Sequence, residues 1–165
     1  MIRPVLLALC SLAATEAAAL SCLPADPMRD FQEAQDAPES YHILHGRLSF
    51  DRSLMPRGVS DDPGVAPNPV DAQFEGFALG SEGFTTPVEA EVVLQSTCAG
   101  PYCGTFGPGE ALLFAEITEA GYLVRIGPCS GGAFDQVNQD TLDGLAACLR
   151  GEGCGPEDGA ALPVK

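Results

Sequence analysis

A mainly β, disulfide-tied domain is what the sequence predicts, and three observations carry that expectation. Between Tyr41 and Ile126, five segments show either period-two alternation or apolar runs of strand length. Connections rich in Gly and Pro separate them, and an even set of six cysteines lies beyond the first 21 residues. These features are densest from Cys98 to Cys129, CAGPYCGTFGPGEALLFAEITEAGYLVRIGPC, where three of the six cysteines bracket two strand candidates.

The chain opens with Arg3, continues as the apolar run PVLLALCSLAA, and reaches small residues at Ala17, Ala18 and Ala19. That order is a secretory signal peptide over residues 1–21. The run is shorter than the roughly 20 apolar residues of a spanning helix, and Glu16 interrupts its end. Cleavage is expected after Ala19 or after Ser21, and the second site makes Cys22 the mature N-terminus. Lipid anchoring at Cys22 is the alternative, although Leu20 lies one place later than a lipoprotein signal sets it. A periplasmic or secreted location follows, with one domain over residues 22–155 and a flexible tail over residues 156–165.

Eight basic residues face 23 acidic ones, and losing Arg3 and Glu16 with the leader leaves the net charge at -15. Nucleic-acid affinity comes largely from Lys and Arg displacing counterions, so a nucleic-acid partner is excluded. Anionic membrane surfaces are disfavoured for the same reason. The acidic residues either solubilise an exported domain or attract a basic partner or divalent cations.

Cys10 belongs to the leader, which leaves Cys22, Cys98, Cys103, Cys129, Cys148 and Cys154. Three bridges are the default in an oxidising compartment. Proximity favours Cys98 with Cys103 and Cys148 with Cys154, leaving Cys22 for Cys129; other connectivities stay open. Cys-x4-Cys and Cys-x5-Cys match neither a thioredoxin-like motif nor paired zinc knuckles, so no metal or redox cofactor is expected.

Met28, Phe31 and Ala34 recur at helical spacing, with Asp26 able to cap and Pro27 suited to the first turn. A short helix stopping before Pro38 is expected. YHILHGRLSFD, residues 41–51, alternates as the first strand, with Leu44, Leu48 and Phe50 on one face and Tyr41, Ile43 and Arg47 on the other. Gly46 in its middle predicts a bulge or strong bend. His42 and His45 are three apart on this strand, so they point to opposite faces and cannot share one metal. No nucleophile signature accompanies them.

Residues 52–71 are rich in Pro, Gly and Asp and show neither period, which predicts a long solvated loop. Asp61 and Asp62 have no EF-hand ligand series after them. Strands resume over residues 72–80, with Phe74 and Ala78 on one face and Phe77 and Leu79 on the other. VEAEVVLQSTC then alternates Val88, Ala90, Val92 and Leu94 against Glu89, Glu91 and Gln95. EALLFAEI, residues 110–117, is apolar on both faces and so central, and YLVRI, residues 122–126, returns antiparallel to it. Five short strands with a bent first one describe a Greek-key barrel of the oligonucleotide/oligosaccharide-binding (OB) type, although strand counting also fits a sandwich. Leu142, Leu145, Ala146 and Leu149 then mark an amphipathic helix capped by Asn138 or Asp140 and ended by Gly151. This helix is expected to cover the barrel.

The run Cys103-Gly104-x-Phe106-x-x-Gly109, followed by Leu112, Leu113, Phe114 and Ala115, and then by Tyr122-Leu123-Val124 before Cys129, resembles the core signature of the tissue inhibitor of metalloproteinases and netrin-module superfamily. The layout is similar over most of the mature chain, and the motif covers about thirty residues. The resemblance implies an OB-like barrel. It also implies that a mature N-terminal Cys22 could place its amine and carbonyl on a protease zinc, with Leu23 entering the substrate pocket. The family inhibitors begin Cys-x-Cys with a small second residue, whereas this chain reads Cys22-Leu23-Pro24.

A non-enzymatic exported binding module, a monomer with an unidentified protein partner that is basic or a protease, is the leading expectation. A metalloprotease inhibitor acting through Cys22 and Leu23 is the alternative. A cell-envelope enzyme using carboxylates such as Glu75, Glu89 and Glu91 is the third reading, and a pocket with two convergent carboxylates is its mark. Phe50, Phe74 and Phe77 could stack on bases, but the basic groove such stacking accompanies is missing.

Overall fold

A computed structural model describes residues 21–60, 62, 65–129 and 131–154. The expected leader up to residue 20, Asp61 and the tail over residues 156–165 lie outside the described residues.

Helix α1 (Pro27–Asp36) begins where capping chemistry places it: the Asp26 carboxylate accepts a hydrogen bond from the Met28 N–H at 2.9 Å, and Pro27 occupies the first helical position. Phe31 is its fully buried residue. Strand β1 (Tyr41–Ser49) follows, then a 3-10 turn at Arg52–Leu54, then β2 (Val70–Gly80) and β3 (Gly83–Ser96). Two-residue strands β4 (Cys98–Ala99) and β5 (Tyr102–Cys103) form a separate hairpin. Strands β6 (Gly109–Thr118), β7 (Gly121–Ile126) and β8 (Ala133–Phe134) and helix α2 (Gln139–Leu149) complete the order.

The large sheet runs β1-β2-β3-β7-β6-β8, and β1 also pairs with β6, so the sheet is partly closed on itself. All of its pairings are antiparallel except β3 with β7. The described residues thus form eight strands rather than the expected five. The three additions are only two residues long, too short to leave a periodic trace.

Alternation decides what faces the interior. Leu44, Leu48, Val70, Ala72, Phe74, Val92, Leu94, Leu113, Ala115, Val124 and Ile126 fill one core. A second core lies on the outer surface of β6, where Leu112 and Phe114 pack against Phe31 of α1 and Leu142, Leu145 and Cys148 of α2. This explains why residues 111–115 are apolar on both faces. Helix α2 is N-capped by Asn138, whose side chain accepts from the Thr141 N–H at 2.8 Å. It ends in a Schellman arrangement, with Glu152 N–H donating to Ala147 O and Gly151 N–H to Cys148 O, both at 2.9 Å. Leu149, expected on its apolar stripe, is exposed, and Cys148 takes the buried place.

Three further details correct the expectation. The pairing of β1 continues through Gly46 on both sides without a register shift, and the irregularity falls in the β2–β3 pairing beside Ala78/Leu79. Gly46 therefore serves close backbone approach rather than a bulge. Strand β3 starts earlier than its alternating stretch, because Pro87 sits on a portion paired only to β2, where its missing N–H deprives no second neighbour. Finally, the 52–71 connection is not simply solvated. Met55 is buried, Val59 bridges Tyr102, and the Cys103 N–H donates to the Gly58 carbonyl at 2.9 Å. The segment is laid against the β4–β5 hairpin.

Disulfides join Cys22 to Cys129, Cys98 to Cys103 and Cys148 to Cys154. Three such bridges fit a non-reducing, exported environment. No helix among the described residues is long and apolar enough to cross a membrane.

Candidate functional site

The segment before α1 is extended and exposed, and two contacts hold it. Cys22 is bridged to Cys129 just beyond β7, and the Arg29 guanidinium donates to the Pro24 carbonyl at 3.1 Å. Leu23 lies between these anchors and is 71% exposed. Beside it opens a cleft of about 480 Å³, whose walls come from α1, β6, β7 and the turn after Cys129.

Charged groups from three elements meet there. Asp30 of α1 accepts a hydrogen bond from the Gly132 N–H at 3.0 Å, which ties the helix to the turn before β8. Burial pushes the Asp30 carboxyl above the usual carboxylate range, the nearby Glu33 and Asp26 add to the rise, and the Gly132 N–H and Arg29 counter only part of it. Glu116, on the outer face of β6, is almost fully buried and pairs with Arg125 of β7. The side chain of Tyr41 also lines the cleft.

The raised Asp30 has a consequence for stability. A carboxyl that holds its proton more tightly when folded contributes stability fully present below the unfolded value of 3.8 and lost as pH rises through the higher folded one. Asp30→Asn keeps an oxygen acceptor for Gly132 and removes the desolvated charge. The variant is expected to melt higher than the native chain at pH 7, by on the order of 1–2 °C given partial burial. The gap should narrow toward pH 4, and a thermal melt at the two pH values measures it.

The histidines lie elsewhere and apart. His42 shares a hydrogen bond with the Tyr122 hydroxyl at 2.8 Å. His45 stacks edge-on to Phe84, and its Nε2 lies 3.2 Å from Glu110 Oε1, within ion-pairing reach but not aligned for a hydrogen bond. All six described cysteines are in disulfides, and no group of three His, Cys, Asp or Glu among the described residues is spaced to hold a metal ion. The carboxylates singled out in the sequence, Glu75, Glu89 and Glu91, sit on the outer surface of β2 and β3, where Glu75 and Glu89 border a second cleft separate from the one beside Cys22. Of the three candidate stacking rings, Phe74 is buried in the core, Phe50 packs against it, and Phe77 alone is exposed.

Cys22 makes the bridge to Cys129 that proximity left for it, and Leu23 lies beside it at the rim of the cleft, whereas Asp30, Glu116 and Arg125 were not among the residues singled out. A signal for two of these existed: Glu116 interrupts a strand buried on both faces, and a buried carboxylate requires a partner on a neighbouring strand, which Arg125 in YLVRI supplies. Asp30 carries no local signal, because its partner Gly132 is distant in sequence. Compared with family models, curated proteins and solved structures, the chain matches none.

Proposed function

We propose that the chain is an exported, non-enzymatic binding module built on an OB-type barrel of the metalloproteinase-inhibitor and netrin kind. The barrel reading is supported by the cyclic order in which β1 pairs with both β2 and β6 while β3 lies parallel to β7. One observation carries the functional reading: a disulfide fastens an extended, exposed segment at the rim of a cleft and leaves Leu23 projecting into solvent. An apolar side chain on a pre-ordered backbone is what a protein partner can bind without ordering the segment itself. A photo-crosslinking side chain placed at Leu23 of the oxidised protein tests this. A discrete adduct with one protein of the envelope or medium is expected, and it should vanish when Cys22 and Cys129 are both serine. Adducts no different from those of the same side chain at Asp143, on α2, refute the reading.

The same staple favours a second reading, zinc-directed inhibition of a protease through the amine and carbonyl of a mature N-terminal Cys22. It requires signal cleavage after Ser21. Mass spectrometry of the processed protein beginning at Leu20 eliminates it, as does protease inhibition that survives extending the mature chain by one residue.

A further inference from the structure

A second surface lies apart from the Cys22 cleft. Outside the barrel, β1, β2, β3 and β6 place four charged residues in one cross-strand row: Glu110 opposite Arg47, Arg47 opposite Glu75, and Glu75 opposite Glu89. All four are exposed. The row borders a cleft of about 810 Å³, larger than the one beside Cys22. Phe77, two residues along β2 from Glu75 and therefore on the same face, is 45% exposed beside it, with Pro87 opposite on β3.

The charges of this row are largely unspent. Among the described residues, Arg47, Glu75 and Glu89 make no side-chain hydrogen bond or ion pair, and Glu110 reaches only His45. Like charges directly opposite one another destabilise a sheet, and Glu75 and Glu89 stand that way. Helices α1 and α2 cover the outer face of β6, and among the described residues nothing packs over this part of β1, β2 and β3. Three carboxylates against one guanidinium, beside an exposed aromatic ring, complement a cation carried next to an apolar group.

We infer that this sheet face is a docking site for an extended peptide segment of a partner protein bearing lysine or arginine next to an apolar residue. The cation of the peptide enters between Glu75 and Glu89, and Phe77 takes the apolar neighbour or the aliphatic stem of the cation. Arg47 is left to meet a peptide carbonyl. This site is independent of the reading built on Cys22 and Leu23.

Titration of the isotope-labelled, oxidised protein with acetyl-Ala-Lys-Leu-Lys-Ala-amide at low salt tests the assignment. Saturable shifts of backbone amides around His45, Arg47, Phe77 and Glu89 are expected, weakening as salt is added. Glu75→Gln with Glu89→Gln should lower affinity by roughly three- to tenfold, and Phe77→Ala should lower it further. Because the whole chain is acidic, Asp140→Asn with Asp143→Asn on α2 removes the same charge elsewhere and should leave affinity within about twofold. Melting curves establish that each variant is folded. Three outcomes overturn the proposal: no saturable shift at millimolar peptide, an equal loss in the α2 double variant, or equal binding of the glutamate twin acetyl-Ala-Glu-Leu-Glu-Ala-amide.

Discussion

Replacing Cys22 and Cys129 together with serine is expected to lower stability by about 4.7 kcal/mol, the chain-entropy value for a loop of about 100 residues. The bridge closes a sequence separation of 107, so it restricts the unfolded chain far more than the two short bridges do. Against the roughly 5–15 kcal/mol by which domains are stable, that is a large share. A fall in melting midpoint on the order of 10–20 °C follows. Serine at Cys98 and Cys103, whose separation is 5, should remove only about 2 kcal/mol. The long bridge also has a local role, since without it the segment over residues 21–25 is tied by the Arg29 contact to Pro24 and by its junction with the Asp26 cap of α1. Calorimetry of the native chain and the two double variants decides the matter: a long-bridge variant melting no lower than the short-bridge one would show that the tie is not what restrains the unfolded chain.

That bridge was readable as the favoured one because proximity paired two sets of cysteines and left Cys22 for Cys129. Both helices were equally legible, since Asp26, Pro27 and Asn138 are local signals whose effect does not depend on the rest of the fold. The long strands were legible through alternation. The periodic trace failed where contact was non-local. Nothing in residues 52–60 announces that they lie on the β4–β5 hairpin, because the hydrogen bonds from the Ser60 N–H to Pro101 O at 2.7 Å and from the Cys103 N–H to Gly58 O are made by backbone atoms, which carry no sequence signature.

The surface row of charges was hidden for a related reason. Glu75 and Glu89 each looked like the polar half of an alternating strand, and only the register that sets them opposite each other, with Arg47 on the far side of Glu75, turns them into a patch. Glu116 was different. Its position within a buried run carried the information, and the requirement that a desolvated carboxylate be paired would have led to Arg125.

Gly46→Ala is expected to destabilise the protein by about 2–3 kcal/mol, although alanine is normally the better strand residue. A Cβ at Gly46 would stand 2.5 Å from the Gly76 Cα and closer still to the Glu75 carbonyl oxygen. Both are backbone atoms of β2, so no side chain can rotate away. The strand cannot shift either, because Gly46 is paired with Gly76 on one side and with Ala111 of β6 on the other. Moving away from β2 compresses the β6 ladder. Because the clash is with backbone on both sides, the overpacking lies at the upper end of its usual range, about 3 kcal/mol, and the reduced freedom of the unfolded alanine chain offsets about 0.4–1 kcal/mol of it, which leaves a net loss of roughly 2–3 kcal/mol. Gly80→Ala is the control: its nearest neighbour is the Gly83 carbonyl at 3.8 Å, ordinary contact, and it should be neutral or gain up to about 1 kcal/mol. Urea unfolding of the three proteins measures the difference. Equal midpoints for the two variants would mean that β1 and β2 lie further apart at this point than their backbone positions place them, and the shared central strand would lose its physical basis.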